Sequence, residues 1–149
     1  MRFVIQRVTN ASVTVDAQIT GAIQQGFLVL IGISQTDDEA VADRMLRKML
    51  NLRIFEDENG KTNLSLKDVN GGLLLVSQFT LYADCRKGNR PSFIKAGSPE
   101  HAERLYEYIL HACKQECACL QQGIFGAHMK VELTNDGPFT VILDSEEIL

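Results

Sequence analysis

Over the first 35 positions, apolar residues fall in short runs broken by glycine rather than in helical stripes. Phe3 and Ile5 alternate with Val4 and Gln6, and Val13 and Val15 alternate with Thr14 and Asp16, the period of two that marks a strand. Gly21 and Gly26 punctuate two further runs. Phe27-Leu28-Val29-Leu30-Ile31 has no alternation, as expected of a strand covered on both faces. The rhythm changes at Thr36-Asp37-Asp38-Glu39, which reads as a capping box with Thr36 as N-cap and Glu39 reaching back. Behind it Val41, Met45, Met49 and Leu52 recur at helical spacing. Asn59-Gly60 signals a hairpin turn. Gly72-Leu73-Leu74-Leu75-Val76 is a second unbroken apolar strand, and it delivers Ser77 to Thr80. After a long loop, Ser98-Pro99 opens a second helix as N-cap and N1, with Ala102, Leu105, Tyr106, Ile109, Leu110 and Cys113 as its buried stripe. The last part alternates again. Phe125, Ala127, Met129, Val131 and Leu133 share one face, Asn135 to Pro138 read as a turn, and Phe139, Val141 and Leu143 as a final strand. Strands outnumber helices and no linker or repeat divides the chain, so the pattern predicts one α+β domain over residues 1–149, with a sheet or barrel-like core and two flanking helices.

Composition narrows what such a domain does. The longest apolar run, Gly26 to Ile33, is far too short to span a membrane. The N-terminus reads as a first strand rather than a signal peptide, so the expected location is the cytosol. Four cysteines are then expected to stay reduced. Cys113, Cys117 and Cys119 beside His111 suggest zinc, but Cys113 falls on the apolar helix face and no second ligand pair has zinc-site spacing, so no metal is expected. A net charge of −4 argues against nucleic-acid binding by the whole surface and leaves room for a local patch. Arg86-Lys87-Gly88-Asn89-Arg90 with Lys95 is such a patch: either a solvated loop or a grip on phosphates.

Two strings carry the candidate chemistry: Ser77-Gln78-Phe79-Thr80-Leu81 and Asn135-Asp136-Gly137-Pro138-Phe139-Thr140. Ser77 and Thr80 offer hydroxyls, which need a base to become nucleophiles. None lies close in sequence, and a triad would have to recruit His101, His111 or His128 through the fold. Two other readings stand beside it: the hydroxyls satisfy backbone groups at a strand end, or the strand end presents free amides to a developing oxyanion. Gly137-Pro138 is a plain turn or a rigid pair of carbonyls aimed at a pocket. Arg7 alternates in phase with Phe3 and Ile5, so it is expected to be partly buried and to need a partner. Met129 is expected in the core.

Together with the opening Met1-Arg2-Phe3-Val4-Ile5-Gln6-Arg7-Val8 and with Gly88-Asn89-Arg90-Pro91-Ser92-Phe93, the two strings closely resemble the D-aminoacyl-tRNA deacylase family nearly end to end. The resemblance implies that family's barrel-like fold, a homodimer, and hydrolysis of the ester joining a D-amino acid, or glycine, to tRNA. It implies a cis Gly137-Pro138 bond acting as chiral gate in the partner subunit's site. Ser77, Gln78, Phe79 and Thr80 would line the pocket, with the Phe79 amide among the donors to the ester oxygen. Either Thr80 acts as nucleophile or the tRNA's own 2′-hydroxyl assists. Phe125 and Met129 would adjoin the pocket, Arg7 would support the Gly-Pro element, and Arg86, Lys87 and Arg90 would hold tRNA. No cofactor is implied. The competing expectations are a Thr80-nucleophile esterase and a non-catalytic nucleic-acid-binding module.

Overall fold

A computed structural model describes residues 1–148. In chain order the elements are β1 (Arg2–Val15), β2 (Gln18–Ile23), β3 (Gly26–Gly32), α1 (Glu39–Leu50), β4 (Phe55–Glu56), β5 (Thr62–Leu64), β6 (Gly72–Ser77), a 3₁₀ turn (Phe79–Tyr82), α2 (Pro99–Glu116), β7 (Leu120–Gln122), β8 (Lys130–Asp144) and α3 (Ser145–Ile148). The fold is α+β, a nearly closed barrel-like sheet with the two expected helices and a short third at the C-terminal end.

The long strand β1 organises the sheet. One of its edges holds β3 along Arg2 to Val8 and β2 along Ala11 to Val15. Its other edge holds β8 along nearly its whole length. From β3 the sheet continues through β6 to β7, both added in parallel. It then curls until β7 reaches β2, where a Cβ on Gly21 would lie 2.7 Å from the Gln122 carbonyl oxygen. The start of β3 is equally tight, since a Cβ on Gly26 would stand 1.9 Å from the Gly72 carbonyl oxygen. Only glycine permits that approach.

Two unbroken apolar strands demand two cores. Phe27, Val29 and Ile31 of β3, with Leu73 and Leu75 of β6, face a layer made by α1 and α2. Leu28, Leu74 and Val76 face the other way, onto Val8, Ala11, Val13 and Ile23. Each fully buried Leu, Ile or Val contributes about 1.5–3 kcal/mol relative to an exposed one, so side-chain parity fixes the register firmly. The expected stripe of α2 is buried as read, with Ser98 Oγ accepting from the His101 amide. Cys113 lies in this core, where burial pushes its thiol up to about 12.

Three local expectations change. Asp38, not Thr36, caps α1, accepting from the Val41 amide at 2.8 Å. Asp37 is unavailable because its carboxylate pairs with the buried Met1 ammonium at 2.7 Å and accepts from the Ser34 amide at 2.6 Å. Glu39, as first residue of the helix, pairs with Arg104 of α2 instead of reaching back. Phe125 and Met129 lie in the β7–β8 connection rather than on a strand, which begins only at Lys130. Finally, Asn135 to Pro138 do not turn the chain back. Both flanks pair with the same strand, β1, and the segment bulges out of one continuous β8.

Candidate active site

β6 carries the first string to the rim of the sheet. Ser77 pairs with Ile31 at the end of the ladder, and the Gln78 amide donates to the Ile31 carbonyl at 2.7 Å. The chain then tightens into the 3₁₀ turn, whose first bond is Leu81 N–H to the Gln78 carbonyl at 3.2 Å. That bond leaves the preceding amides, Phe79 and Thr80, without a partner inside the turn. The far end of the turn is fixed from β1, because Arg2 Nη1 donates to the Leu81 carbonyl at 2.9 Å. The same guanidinium pairs with Asp144 at 2.6 Å and lies 4.6 Å from the Tyr82 ring centroid. Burial would raise the Asp144 pKa, but the Glu146 amide and Arg2 outweigh it and hold the carboxyl below its usual range.

The side chains of this string face outward. Thr80 Oγ1 is hydrogen-bonded by the Gln78 amide group, with no histidine as its partner. His111 and His128 are exposed. Phe79 is 56% exposed and stacks edge-on against Phe93, with centroids 5.1 Å apart. Phe125 packs on Tyr106 at 5.9 Å, and Tyr106 in turn donates to the Leu75 carbonyl at 2.8 Å, so Phe125 stands beside the end of β6. Met129 packs against the second core, which includes Val76.

The second string forms the bulge. Asn135 pairs with Val8 and Thr140 with Gln6, so the four residues between them oppose Arg7 alone. Asn135 clasps the base: its Oδ1 accepts from the Phe139 amide at 2.6 Å and its Nδ2 donates to Thr140 Oγ1 at 2.8 Å. The Gly137-Pro138 bond is cis, and both residues are exposed. Gly137 has φ +136°, and a Cβ there would meet Arg7 Nη2 at 3.1 Å, so the position needs glycine. Arg7 is only 6% exposed and acts as the strut. Its Nε donates to the Asp136 carbonyl at 3.0 Å and its Nη1 to the Ile54 carbonyl at 2.7 Å. Its guanidinium also lies 4.6 Å from the Phe139 ring centroid.

The two strings lie on different parts of the sheet. The bulge faces Arg7, whereas Ser77 is aligned through Ile31 with Phe3, four residues along β1 and three strands across. Strand spacings of about 4.8 Å and rises of about 3.3 Å per residue separate them by roughly 20 Å measured along the sheet.

The basic loop springs from the 3₁₀ turn and is closed by the Asp84–Ser92 bridge. Arg86 is bound to Asp84 within it, Nε to Oδ1 at 2.9 Å, and this partner holds the Asp84 carboxyl far below its usual range. Arg86 therefore shapes the loop, while Lys87, Arg90 and Lys95 are exposed and enter none of the ion pairs among the described residues. Sequence reading missed Arg2 and the clasp made by Asn135. A second arginine on β1 was the available signal for the first.

The sequence model described as D-Tyr-tRNA(Tyr) deacylase matches residues 4–144. The chain is 53% identical over 148 residues to the D-aminoacyl-tRNA deacylase of Thermosipho africanus (strain TCF52B), covering 99% of each. It is 54% identical over 147 residues to the enzyme of the same name from Clostridioides difficile (strain 630), again over 99% of each. Among solved structures it is similar to the c-Myc DNA Unwinding Element Binding Protein, with TM-score 0.92, 44% identity, and 97% and 98% of the two chains covered. A probable eukaryotic D-amino acid tRNA deacylase shares the fold, with TM-score 0.71 at 17% identity over 95% and 97% of the chains. On a match that spans both strings and nearly every element that carries them, the chain belongs to the D-Tyr-tRNA(Tyr) deacylase family.

Proposed function

We propose that this chain hydrolyses the ester bond of D-aminoacyl-tRNA, and of glycine carried on tRNA, as a cytoplasmic homodimer in which each 149-residue protomer is a single deacylase domain. The observation that carries this reading is that both strings are built as working surfaces in a member of this family. One is an outward turn with unpaired amides, the other a braced, projecting bulge.

An aminoacyl ester is already activated, so positioning and a modest donor array suffice. The Phe79 and Thr80 amides face the developing oxyanion, and Ser77, Gln78 and Phe79 shape the pocket with Phe125 and Met129. Water attacks the carbonyl carbon, the ester C–O bond breaks, and the tRNA 3′-terminal hydroxyl and the free amino acid leave. The tRNA's vicinal 2′-hydroxyl is placed to assist the proton transfer. Stereospecificity comes from a penalty rather than from added affinity. Gly137 and Pro138, braced by Arg7, enter the partner's site and hold carbonyls where an L side chain would project. Such a gate reads the configuration at the α-carbon and ignores the rest of the side chain, so it tolerates many D-residues and admits glycine. The separation of roughly 20 Å along the sheet of one protomer supports a cross-subunit arrangement. Lys87 and Arg90, on a loop shaped by Arg86, hold the tRNA phosphates.

The test is deacylation of D-Tyr-tRNA, L-Tyr-tRNA and Gly-tRNA by the purified protein. Turnover of the D and glycyl esters with the L ester spared is expected; equal D and L rates would sink the gate. Thr80→Val separates the mechanisms: near-normal hydrolysis is expected, and a trapped acyl-enzyme in the wild type would point to a Thr80 nucleophile.

A second reading, a nucleic-acid-binding module without catalysis, draws on the likeness to the protein named for DNA-unwinding-element binding and on the basic loop. It predicts tight, salt-sensitive DNA binding and no ester turnover.

A further inference from the structure

The exposed cations of this chain are not confined to the loop. Helix α1 sorts its charges by face. Glu39 and Asp43 look toward α2, where Glu39 pairs with Arg104 at 2.9 Å and Asp43 accepts from the Tyr108 hydroxyl at 2.8 Å. Ala42, Met45, Leu46 and Met49 are buried. Arg44, Arg47 and Lys48 fall on the remaining face, spaced three and four residues apart so that they share one side. Together with Arg53, Leu52 and Ile148 they line a shallow pocket of about 500 Å³ that, among the described residues, no acidic side chain lines. The ion pairs among the described residues use none of these four cations. Arg53 donates to the Asn63 carbonyl at 2.8 Å and adds a small charge effect to the Asp68 carboxyl, which hydrogen bonds from Ser65 chiefly hold below its usual range, so it is the most committed of the four. The other three are exposed, unshared charges on a protein of net charge −4.

The position of this face is as telling as its charge. Arg53 immediately precedes Ile54, whose carbonyl accepts from the same Arg7 that braces the Gly137-Pro138 bulge. The cationic face is thus tied to the bulge through one buried guanidinium.

We propose that Arg44, Arg47 and Lys48 form a second RNA-binding surface, which takes the sugar-phosphate backbone of the polynucleotide whose aminoacyl end occupies the active site. The proposal rests on the deacylase reading above. A row of like charges spaced three and four residues apart suits a polyanion whose charges also repeat at fixed spacing, with Arg47 also bordering a neighbouring cavity lined by Asp43, Asp68 and Glu116. It offers position and affinity and no sequence selectivity, as expected of an enzyme acting on many tRNAs.

The test is the double variant Arg44→Gln/Lys48→Gln, with Lys114→Gln, an exposed cation of α2, as control. Binding of uncharged tRNA is measured against salt concentration, and deacylation is measured on D-aminoacyl-tRNA and on a D-aminoacyl-adenosine ester. Loss of two phosphate contacts lowers the slope of log affinity against log salt by about 2. KM for the full tRNA is then expected to rise at least tenfold at 100 mM salt, with turnover of the adenosine ester unchanged and the control matching the wild type. An unchanged salt slope and KM in the double variant would overturn the proposal. Unchanged tRNA binding together with lost binding to phosphatidylserine vesicles would overturn it in favour of a membrane surface. If the wild type fails to cleave the adenosine ester as well, the deacylase reading falls, and the tRNA-binding slope still judges the α1 face on its own.

Discussion

The turn at Ser77–Tyr82 and the bulge at Asn135–Thr140 solve opposite problems with similar means. The turn must leave donors free, so its amides go unpaired and its support comes from the far end, where Arg2 holds the Leu81 carbonyl. The bulge is braced at its base instead: Arg7 holds the Asp136 carbonyl, and Asn135 holds Phe139 and Thr140. Both lean on an arginine of β1, one at each end of the β1–β3 ladder. The Arg7 guanidinium is buried and Arg2 is partly exposed. The contrast is between a turn with free donors and a braced projection, which the proposed function reads as a surface that binds and a surface that refuses.

Breaking the second surface has the largest expected effect. Arg7→Ala strands the buried Ile54 carbonyl, frees the part-buried Asp136 carbonyl and removes the cation over Phe139, which costs about 3 kcal/mol of stability by urea unfolding. Because the bulge loses its strut, the ratio of D- to L-ester kcat/KM should collapse toward one in the surviving folded protein. Gly137→Ala is milder for the fold. It places an L side chain at φ +136° and crowds Arg7, at about 1–3 kcal/mol. The expected readout is a D/L ratio reduced by tenfold or more, with the D-ester rate falling less than the discrimination. An unchanged ratio would show that the bulge does not sort substrates.

Breaking the first surface should spare selectivity. Phe79→Ala removes the edge-on partner of Phe93 while keeping the backbone amide, so KM is expected to rise severalfold with the D/L ratio intact. In the loop, Arg90→Gln should lower the salt slope of tRNA affinity by about 1.

The smallest effect comes from the Arg2–Asp144 pair. The folded Asp144 carboxyl titrates below its ordinary value, so its contribution is complete above about pH 4 and is lost as pH falls through the folded pKa. With Arg2 partly in solvent, it amounts to about 1 kcal/mol or less. Melting temperatures of wild type and Asp144→Asn should differ at pH 7 and converge at acid pH. Convergence at neutral pH instead would remove Arg2 and Asp144 from the support of the turn.

The sequence showed these elements unevenly, for physical reasons. Both apolar strands and the stripe of α2 were legible because burial imposes a period of its own on a chain. Arg7 was legible by the same rule, as a polar residue on a buried phase. The cap of α1 was misread because Thr36, Asp37 and Asp38 all fit the cap chemistry. The Met1 ammonium claims Asp37 from 36 residues away, the Thr36 hydroxyl pairs with the Ser34 hydroxyl, and Asp38 caps α1. The bulge was misread as a turn because Asn-Asp-Gly-Pro is turn chemistry locally. Only the pairing of both flanks with β1 shows that the strand continues. The cationic face of α1 passed unnoticed because its charges are interleaved with acids in the sequence and are separated only by the helix.

The register of β8 gives the bulge one more property. Four residues stand opposite one, so the strand contains three more than its ladder requires. The ladder resumes on β1 beyond them, and the segment behaves as an insert carried by a strand that is structurally complete without it. The ladder itself does not depend on the insert, which is tied to the interior through Arg7 and Phe139. On the gate proposed above, stereochemical stringency would be set on the insert and the sheet by its ladder, with Arg7 joining the two.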